Sequence, residues 1–428
     1  MNTAVINSVI KAVINPVSSL LPNRSNATRT VIKLLSHLEG GSLQLRLPES
    51  PPMQLGKGSQ RATLTVTNER VFRRVLAEGD IGFAESWIDG DWHSDHLAEL
   101  LTLLAENRRQ LARALHGSWL PVLAHRMRHL ARRNTRAGAK RNILAHYDLG
   151  NDFYAHWLDP SMSYSAAVFD GQSEQSLEDA QIQKYRRLLQ HLNPQPGDRL
   201  LEVGCGWGGL AEIAAKEFHC KVHGITLSPA QLEWATARAK RNCFDHLATF
   251  SLTDYRDVAT LNDARYDHIV SIEMFEAVGE RFWPTYFKQL AHCLKPGGRI
   301  AIQTITIADE RFNAYRRGTD FIQRHIFPGG MLPSPKVFER HAQQAHLVVR
   351  ERFAFGENYA RTLATWHQHF EAAWPQIATL GFDERFRRLW QFYLGYCEAG
   401  FRSGATDVYH YVLEHAGQTL NSESALPA

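Results

Sequence analysis

The chain has 428 residues, 44% hydrophobic and 21% charged, which is enough for about two or three globular domains and unlike a disordered protein. No apolar run approaches the roughly 18 residues of a membrane span, and the first residues lack the pattern of a secretory signal. The net charge of +4 is too small to indicate nucleic-acid binding, and five scattered cysteines without CxxC spacing favour a cytoplasmic protein with no disulfide framework and no metal site.

In chain order, the first predicted element is a helix over residues 5–14, whose apolar residues share one face. Its other face carries a single charge, Lys11, so packing against the protein itself is favoured over docking on a bilayer. Alternating stretches such as "SLQLRL" and "ATLTVT" then predict strands between about residues 41 and 91. Together these elements predict a small N-terminal α+β domain over residues 1–106.

A basic segment follows. Residues 107–147 contain ten arginine or lysine residues and no aspartate or glutamate, and apolar residues such as Trp119 lie among them. A basic, partly apolar helix suits an anionic membrane surface, where each basic residue contributes about 1 kcal/mol to the free energy of binding. Nucleic acid is less favoured as a partner because no nucleic-acid-binding motif is present. Residues 107–141 are therefore predicted to be a basic helical connector that contacts anionic lipid headgroups.

From about Gly197 the pattern changes to alternating strands and helices. The stretches "DRLLEVGCG", "KVHGITLS", "YDHIVSIEMF" and "GGRIAIQTITI" are predicted strands, with helices such as "PAQLEWATARAKR" between them. This alternation predicts an α/β domain with a doubly wound, mostly parallel sheet, here assigned to residues 142–428. The aromatic-rich residues 362–413 are predicted to be helical.

The stretch "LLEVGCGWGGL" fits the Gly-x-Gly-x-x-Gly pattern of a dinucleotide site. A dinucleotide site also needs an acid at the end of the second strand, where this chain has Thr226 and Ser228. Instead, Glu202 precedes the glycines and Asp254 follows the predicted third strand. These positions suit a single adenosine that bears an amino acid. The predicted cofactor is therefore S-adenosylmethionine, and a nicotinamide-dependent dehydrogenase is disfavoured.

Over about residues 79–404 the sequence resembles the cyclopropane-fatty-acid synthases and the related mycolic-acid methyltransferases. The resemblance rests on "HYDLGNDFYAHWLDPSMSYS", "LEVGCGWGGLAEIAA", "GITLSPAQ", "EMFEAVG", "YFKQLAHCLKPGGRIAIQTI", "HIFPGGMLPS", "GENYARTLATW" and "AAWPQI". It implies a class I S-adenosylmethionine-dependent methyltransferase with a seven-stranded sheet and helical insertions. It also suggests a homodimer that is peripherally attached to the inner face of the membrane.

The resemblance also implies a set of cofactor contacts. In this sequence they fall on Tyr164, Ser165, Glu202, Gly204, Cys205, Gly206, Gly208, Thr226, Leu227, Gln231 and Asp254. Glycines let backbone amides approach a ligand without side-chain obstruction. Thr226 and Gln231 are expected to bind the ribose, and Asp254 is expected to accept from the adenine amino group.

The implied activity is transfer of a one-carbon unit to the cis double bond of an unsaturated acyl chain in membrane phospholipids. The double bond attacks the sulfonium methyl group, and a carbocation forms on the chain. Loss of a proton from the new methyl group then closes a cyclopropane ring. A dry pocket with aromatic or anionic groups stabilises such a cation. In the family the base is a bound bicarbonate, held by a Cys, a Glu, a His, a Tyr and a backbone carbonyl.

Matched by motif, Glu276 supplies the Glu, Tyr359 the Tyr and Ile305 the backbone carbonyl. Two positions depart from the family, because Ala166 replaces the Cys and Gln303 replaces the His. Alanine donates no side-chain hydrogen bond, and glutamine cannot become cationic. We expect Glu276, Tyr359 and Gln303 to be catalytic, with any retained bicarbonate held by these three side chains and by Ile305.

These departures leave three outcomes open. If bicarbonate is retained, the product is a cyclopropane fatty acid. If the anion site is remodelled, loss of a chain proton gives a methyl-branched unsaturated fatty acid. The third outcome is a non-catalytic lipid-binding protein, which the intact glycine loop and Glu276 disfavour. We expect methyl transfer to the acyl double bond, with the cyclopropane as the favoured product.

Overall fold

The computed structural model describes residues 24–114, 149–171, 174–260 and 265–417. The predicted helix at residues 5–14 and most of the basic connector lie outside these ranges. The described residues form two compact units, one of residues 24–114 and 383–399, the other of residues 149–382 and 400–417 with the gaps noted above. Within these ranges, no helix combines the length and the apolar character needed to cross a bilayer.

The first unit is α+β. Its elements before residue 115 are α1 (Asn26–Leu35), β1 (Glu39–Arg46), β2 (Met53–Val66), α2 (Arg70–Ile88), β3 (Trp92–His93), α3 (Leu97–Glu106) and α4 (Arg108–Ala114). Helix α1 begins where the Ser25 side chain accepts a hydrogen bond from the Thr28 amide. Strand β1 pairs antiparallel with residues 53–57 and parallel with residues 61–65, so β2 bends around it.

The second unit is α/β. Its elements before residue 283 are α5 (Asn151–Ala155), α6 (Leu177–Leu192), β4 (Arg199–Val203), α7 (Gly209–Lys216), β5 (Lys221–Thr226), α8 (Pro229–Arg241), β6 (Ala248–Leu252) and β7 (Tyr266–Ile272). They are followed by α9 (Trp283–Cys293), β8 (Leu294–Ile307), α10 (Asp309–Tyr315), α11 (Pro335–Gln344), β9 (Leu347–Ala354), α12 (Gly356–Thr379) and β10 (Thr406–His415). Helix α13 (Glu384–Arg402) lies between α12 and β10 in the chain, but it belongs to the first unit up to residue 399.

The seven strands of this unit form one sheet in the order β6-β5-β4-β7-β8-β10-β9. Strands β4 to β8 pair in parallel, and β10 is antiparallel to both of its neighbours. Consecutive residues Leu200 and Leu201 of β4 belong to separate hydrophobic clusters because successive side chains point to opposite faces. The sheet is thus covered on both faces, and the predicted mostly parallel seven-stranded fold is confirmed.

One prediction was wrong at the end of this unit. Residues 362–413 were predicted to be helical, but residues 406–415 form strand β10. The strand pairs with β8 from Thr406 to Leu413 and with β9 from Tyr409 to His415. Its sequence, "TDVYHYVLEH", is rich in β-branched and aromatic residues, which favour strands.

Candidate active site

A cavity lies where strands β4, β5 and β7 end at their carboxyl edge. In open α/β sheets, ligands bind at this edge near the point where the strand order reverses. The lining residues include nine of the eleven predicted cofactor contacts: Tyr164, Ser165, Glu202, Gly204, Cys205, Gly206, Thr226, Leu227 and Gln231. Gly208 and Asp254 lie elsewhere.

The loop after β4 presents its backbone to the cavity. Gly204 and Gly206 have positive φ values of 86° and 50°, in the left-handed region that glycine adopts without steric cost. A Cβ atom on Gly206 would meet nothing within 4 Å, so a side chain would enter the open space here. The Gly204 and Cys205 amides both donate to the Ile225 carbonyl at 3.0 Å, which ties the loop to β5. Burial raises the pKa of the Cys205 thiol, as is typical of a packing residue.

Glu202 lies on the cavity wall and is only 4% exposed. Its Oε2 atom has no hydrogen-bond partner among the described residues. Burial raises the pKa of its carboxyl group well above the usual value, although the charges of Lys184 and Arg238 act in the opposite direction. A buried acceptor without a partner is costly. The α-ammonium group of S-adenosylmethionine would supply the missing donor, so these residues fit the predicted cofactor.

Thr226 and Gln231 stand together at the end of β5 and the start of α8. The Thr226 hydroxyl donates to Gln231 Oε1 at 2.9 Å, and both side chains are buried. The Ser228 hydroxyl caps the start of α8, because it accepts a hydrogen bond from the backbone N–H of Gln231 at 3.3 Å. The pair is therefore held in place on the cavity wall, where the sequence predicts contacts to a ribose.

The two predicted contacts outside the cavity make other interactions. A Cβ atom on Gly208 would lie 3.2 Å from that of Ala235, so this glycine permits close packing of α7 on α8. The Asp254 carboxylate accepts from Arg256 Nε at 2.8 Å, and its neighbours Thr253 and Tyr255 line the cavity instead. A contact from Asp254 to adenine stays a prediction.

A carboxylate that the sequence analysis did not single out, Glu273, lies on the same cavity wall. Its Oε1 atom accepts hydrogen bonds from the Ala166 amide and from Gln303 Nε2, both at 2.7 Å. Its Oε2 atom accepts from the Tyr359 hydroxyl at 2.6 Å. Ala166, Gln303 and Tyr359 occupy three of the positions that the family resemblance assigns to a bicarbonate site. In this chain they converge on a side-chain carboxylate.

Glu276 makes different contacts. Its Oε1 atom accepts from the Ile305 amide at 2.5 Å and from the Thr304 hydroxyl at 2.9 Å, while Oε2 has no partner among the described residues. Burial and the charge of Glu273 raise the pKa of Glu276 to about 8. Burial also raises the pKa of Glu273, although the hydrogen bonds to its carboxylate oppose that shift. The two acids thus form an interacting pair, in which both oxygens of Glu273 accept hydrogen bonds and one oxygen of Glu276 has no partner among the described residues.

His410 on β10 holds the Gln303 amide in position. The His410 Nε2 atom lies 2.8 Å from Gln303 Oε1. Burial lowers the pKa of His410 well below its usual value, so the imidazole is neutral. Because Gln303 Oε1 can only accept, His410 Nε2 must carry the proton and donate it. The amide nitrogen of Gln303 then faces Glu273.

Lys184 on α6 is a second residue that the sequence analysis missed. Its ammonium group donates to the Ser165 hydroxyl at 2.6 Å and is fully buried. Burial lowers its pKa to about 7, while the charges of Glu273, Asp159 and Glu202 act in the opposite direction. The helical pattern places Lys184 beside Leu188 on the buried face of α6, which is the one available sequence signal.

Aromatic rings line the cavity, among them Tyr164 and Trp207, and others pack against these lining rings. The ring of Tyr164, a lining residue, lies 5.3 Å from those of Tyr154 and Trp366, and Trp366 is fully buried. Tyr359 packs on Phe401 at 4.5 Å. Faces of such rings attract positive charge. The site therefore combines a cofactor cavity, a carboxylate and an aromatic lining suited to a cation.

The chain matches known proteins over most of its length. Residues 134–411 match the family model described as mycolic acid cyclopropane synthetase. The tuberculostearic acid methyltransferase UfaA1 of Mycobacterium tuberculosis is 40% identical, over 88% of both chains. The cyclopropane-fatty-acyl-phospholipid synthase of Escherichia coli K12 is 37% identical, over 81% of this chain and 86% of its own. Among solved structures, the mycolic acid cyclopropane synthase CmaA1 in complex with SAH and CTAB has 31% sequence identity to this chain and a TM-score of 0.59. The match covers 64% of this chain and 97% of that one.

Proposed function

The chain belongs to the mycolic acid cyclopropane synthetase family of S-adenosylmethionine-dependent methyltransferases, and on that premise we propose that it acts on an unsaturated acyl chain of a membrane phospholipid. It transfers a one-carbon unit to the cis double bond and closes a cyclopropane ring. The observation that carries this proposal is that Glu273 lies on the same cavity wall as Glu202, the glycine loop and Thr226. A proton acceptor therefore stands beside the residues that would hold the methyl donor.

The chain's own residues hold the cofactor and orient it. When bound, S-adenosylmethionine supplies an electrophilic methyl group on a sulfonium. The backbone of the loop at Gly204 and Gly206 receives the amino-acid part, and Glu202 accepts from its ammonium group. Thr226 and Gln231 bind the ribose, and Asp254 or its neighbours contact the adenine.

The residues on the acyl side handle positive charge and a proton. The alkene carbon that does not receive the methyl group becomes cationic. The ring of Tyr164 stabilises that charge, and Trp366, which packs on Tyr164 at 5.3 Å, helps to exclude water. A nearby carboxylate then removes a proton. Glu273 is a lining residue of the cavity and Glu276 is not, so Glu273 is the better placed acceptor.

A second product has support from a specific observation. The relative that is 40% identical is named a tuberculostearic acid methyltransferase, and the departures at Ala166 and Gln303 change the anion site. C-methylation to a branched unsaturated chain is thus the alternative reaction at the same site. A lipid-binding protein without catalysis is the third candidate. It would leave the cavity's proton acceptor without a role.

The test supplies trideuteromethyl-labelled S-adenosylmethionine and vesicles of cis-unsaturated phospholipid, and analyses the released fatty acids. Mass spectrometry counts the deuterium atoms, and proton NMR detects ring hydrogens. Two deuterium atoms and a ring support the proposal. Three deuterium atoms and a retained alkene indicate C-methylation with loss of a chain proton. Bound lipid with unconsumed cofactor would reject the enzymatic proposal for this substrate.

A further inference from the structure

We propose that the Glu273 carboxylate is the base of this reaction and takes the place of a bicarbonate ion, so that the protein works without bicarbonate. The inference rests on the proposed function and names the group that removes the proton. It differs from the expectation drawn from the sequence, in which Glu276, Gln303, Ile305 and Tyr359 hold an external anion.

The first argument is geometric. Glu273 accepts three hydrogen bonds, from the Ala166 amide, Gln303 Nε2 and the Tyr359 hydroxyl, at 2.6 to 2.7 Å. These donors come from three separate segments and converge on one point, as a site built for an anion requires. The carboxylate of Glu273 already fills that point, so a bicarbonate would have to displace it.

The second argument concerns charge. Glu273 and Glu276 are already close enough for the charge of one to raise the pKa of the other. A bicarbonate would add a further negative charge to this pair. The partner that the family supplies as a histidine is here a neutral glutamine, Gln303, fixed by a neutral His410. The site thus accommodates one base, and the chain provides it.

The third argument is the backbone at Glu273. Its φ of 45° lies in the left-handed region that residues with side chains seldom adopt. The conformation is held by a hydrogen bond from the Glu273 amide to the Gln303 carbonyl at 2.8 Å. Strained backbone of this kind concentrates at functional sites, where the surrounding structure enforces it. Here it directs a side chain from the end of β7 into the donor cluster.

The proposed step balances as follows. Methyl transfer breaks the sulfur–methyl bond and forms a bond from the methyl carbon to one alkene carbon, which leaves the other alkene carbon cationic. Glu273 then takes a proton from the new methyl group, and the C–H electron pair forms the second ring bond. The proton goes to Oε2 of Glu273, because this oxygen accepts one hydrogen bond whereas Oε1 accepts two. The proton passes to solvent after the product leaves, which restores the carboxylate.

The test compares the unaltered protein with Glu273→Gln and Glu273→Gly in buffer freed of carbon dioxide, with and without added bicarbonate. Glutamine keeps the size of the side chain but cannot accept the proton. Glycine removes the carboxylate and suits the positive φ, so this variant is expected to fold. Glu217→Gln, at the exposed residue that follows α7, is the matched control for a Glu-to-Gln change.

We expect the unaltered protein to form product at the same rate with and without bicarbonate. Glu273→Gln should lower that rate by about 10²- to 10⁴-fold, as is usual for loss of a general base, and bicarbonate should not restore it. Glu273→Gly should be comparably slow until bicarbonate is added. The affinity for S-adenosylmethionine, measured by calorimetry, should change little in either variant.

A binding measurement gives a readout independent of turnover. ¹³C-labelled bicarbonate, followed by NMR, should associate with Glu273→Gly and not with the unaltered protein. An unaltered protein that needs bicarbonate, or a Glu273→Gln variant at full rate, would overturn the inference and leave the proposed function standing. An unaltered protein that forms no product in either buffer would reject the proposed function and the inference together.

Discussion

At the residue scale, the pair formed by Glu273 and Glu276 determines how the site holds protons. Glu273 is surrounded by three donors, whereas Glu276 has a carboxyl oxygen without a partner among the described residues. The sequence shows both acids in "EMFEAVG" but assigns the role to Glu276 alone. The partners of Glu273 lie 107, 30 and 86 residues away along the chain, so no local pattern could have shown that they meet.

The raised pKa of Glu276 predicts a pH dependence of stability. Because the folded state holds the proton up to about pH 8 and the unfolded state releases it near the usual value of 4.5, folding binds a proton between these values. The contribution of Glu276 is fully present below pH 4.5 and is lost as the pH rises towards 8. Relative to the unaltered protein, Glu276→Gln should therefore gain about 3 to 4 kcal/mol of unfolding free energy between pH 5 and pH 8. Urea unfolding at several pH values measures this difference, and a difference that stays constant with pH would contradict it.

Substitution of Glu202 is predicted to weaken cofactor binding without lowering the stability of the protein. Glu202→Gln removes the negative charge that would accept from the cofactor's ammonium group, and a hydrogen bond to a charged group contributes about 1.5 to 3 kcal/mol. We expect the affinity for S-adenosylmethionine to fall roughly 10- to 100-fold, while the protein without cofactor becomes no less stable. Calorimetric titration measures the affinity, with Glu217→Gln as the control. Unchanged affinity would remove Glu202 from the site.

At the element scale, the parallel strands were the most predictable feature. Strands β4, β5 and β7 have five to seven residues, and each was predicted from the sequence. Strand β8 was also predicted, but it begins at Leu294, three residues before the predicted start at Gly297. Strand β10 was missed because it follows α13 after three residues and its aromatic residues also suit a helix packed on the sheet. Its pairing partners, β8 and β9, precede it by at least 50 residues, so its place in the sheet depends on long-range contacts.

The packing of β5 against β6 gives a prediction at this scale. A Cβ atom on Gly224 would lie 2.6 Å from a ring carbon of Phe250 and 2.9 Å from the Cβ of Cys205. Gly224→Ala should therefore destabilise the protein by about 1 to 3 kcal/mol, as overpacking of a core does. Thermal unfolding measures the loss. Gly318→Ala is the control, since the nearest atom to its Cβ would be the Ala314 carbonyl oxygen at 3.7 Å and its φ is not in the left-handed region. Equal stability of the two variants would argue against this packing.

At the scale of the whole molecule, a net charge of +4 conceals an uneven distribution, because residues 107–147 hold ten basic residues and no acids. That segment lies almost wholly outside the described residues, so its contact with lipid headgroups remains a proposal from the sequence. The second unit supplies the cavity and the carboxylate that we propose as the base. Access to an acyl chain in a bilayer requires an additional surface that holds the protein at the membrane.

The basic segment predicts salt-sensitive binding to anionic vesicles. Replacing Arg126, Arg128, Arg132 and Arg133 by glutamine should weaken that binding roughly 100- to 1,000-fold, at about 1 kcal/mol for each charge. Sedimentation with vesicles of anionic and of neutral phospholipid measures the effect, and turnover of a short-chain soluble lipid checks that the site is intact. Equal binding of the variant and the unaltered protein to anionic vesicles would assign the contact to another surface.

Strand β10 has a consequence for how the protein is made. It inserts between β8 and β9 and brings His410 against Gln303, so the last described strand to leave the ribosome completes both the sheet and the proton-accepting cluster. A nascent chain that already displays its glycine loop and both glutamates still lacks the residue that orients the amide facing Glu273. A protein shortened before residue 406 would remain in that state. In the order of synthesis, the set of residues proposed to remove the proton is therefore complete only after residue 410 has been added.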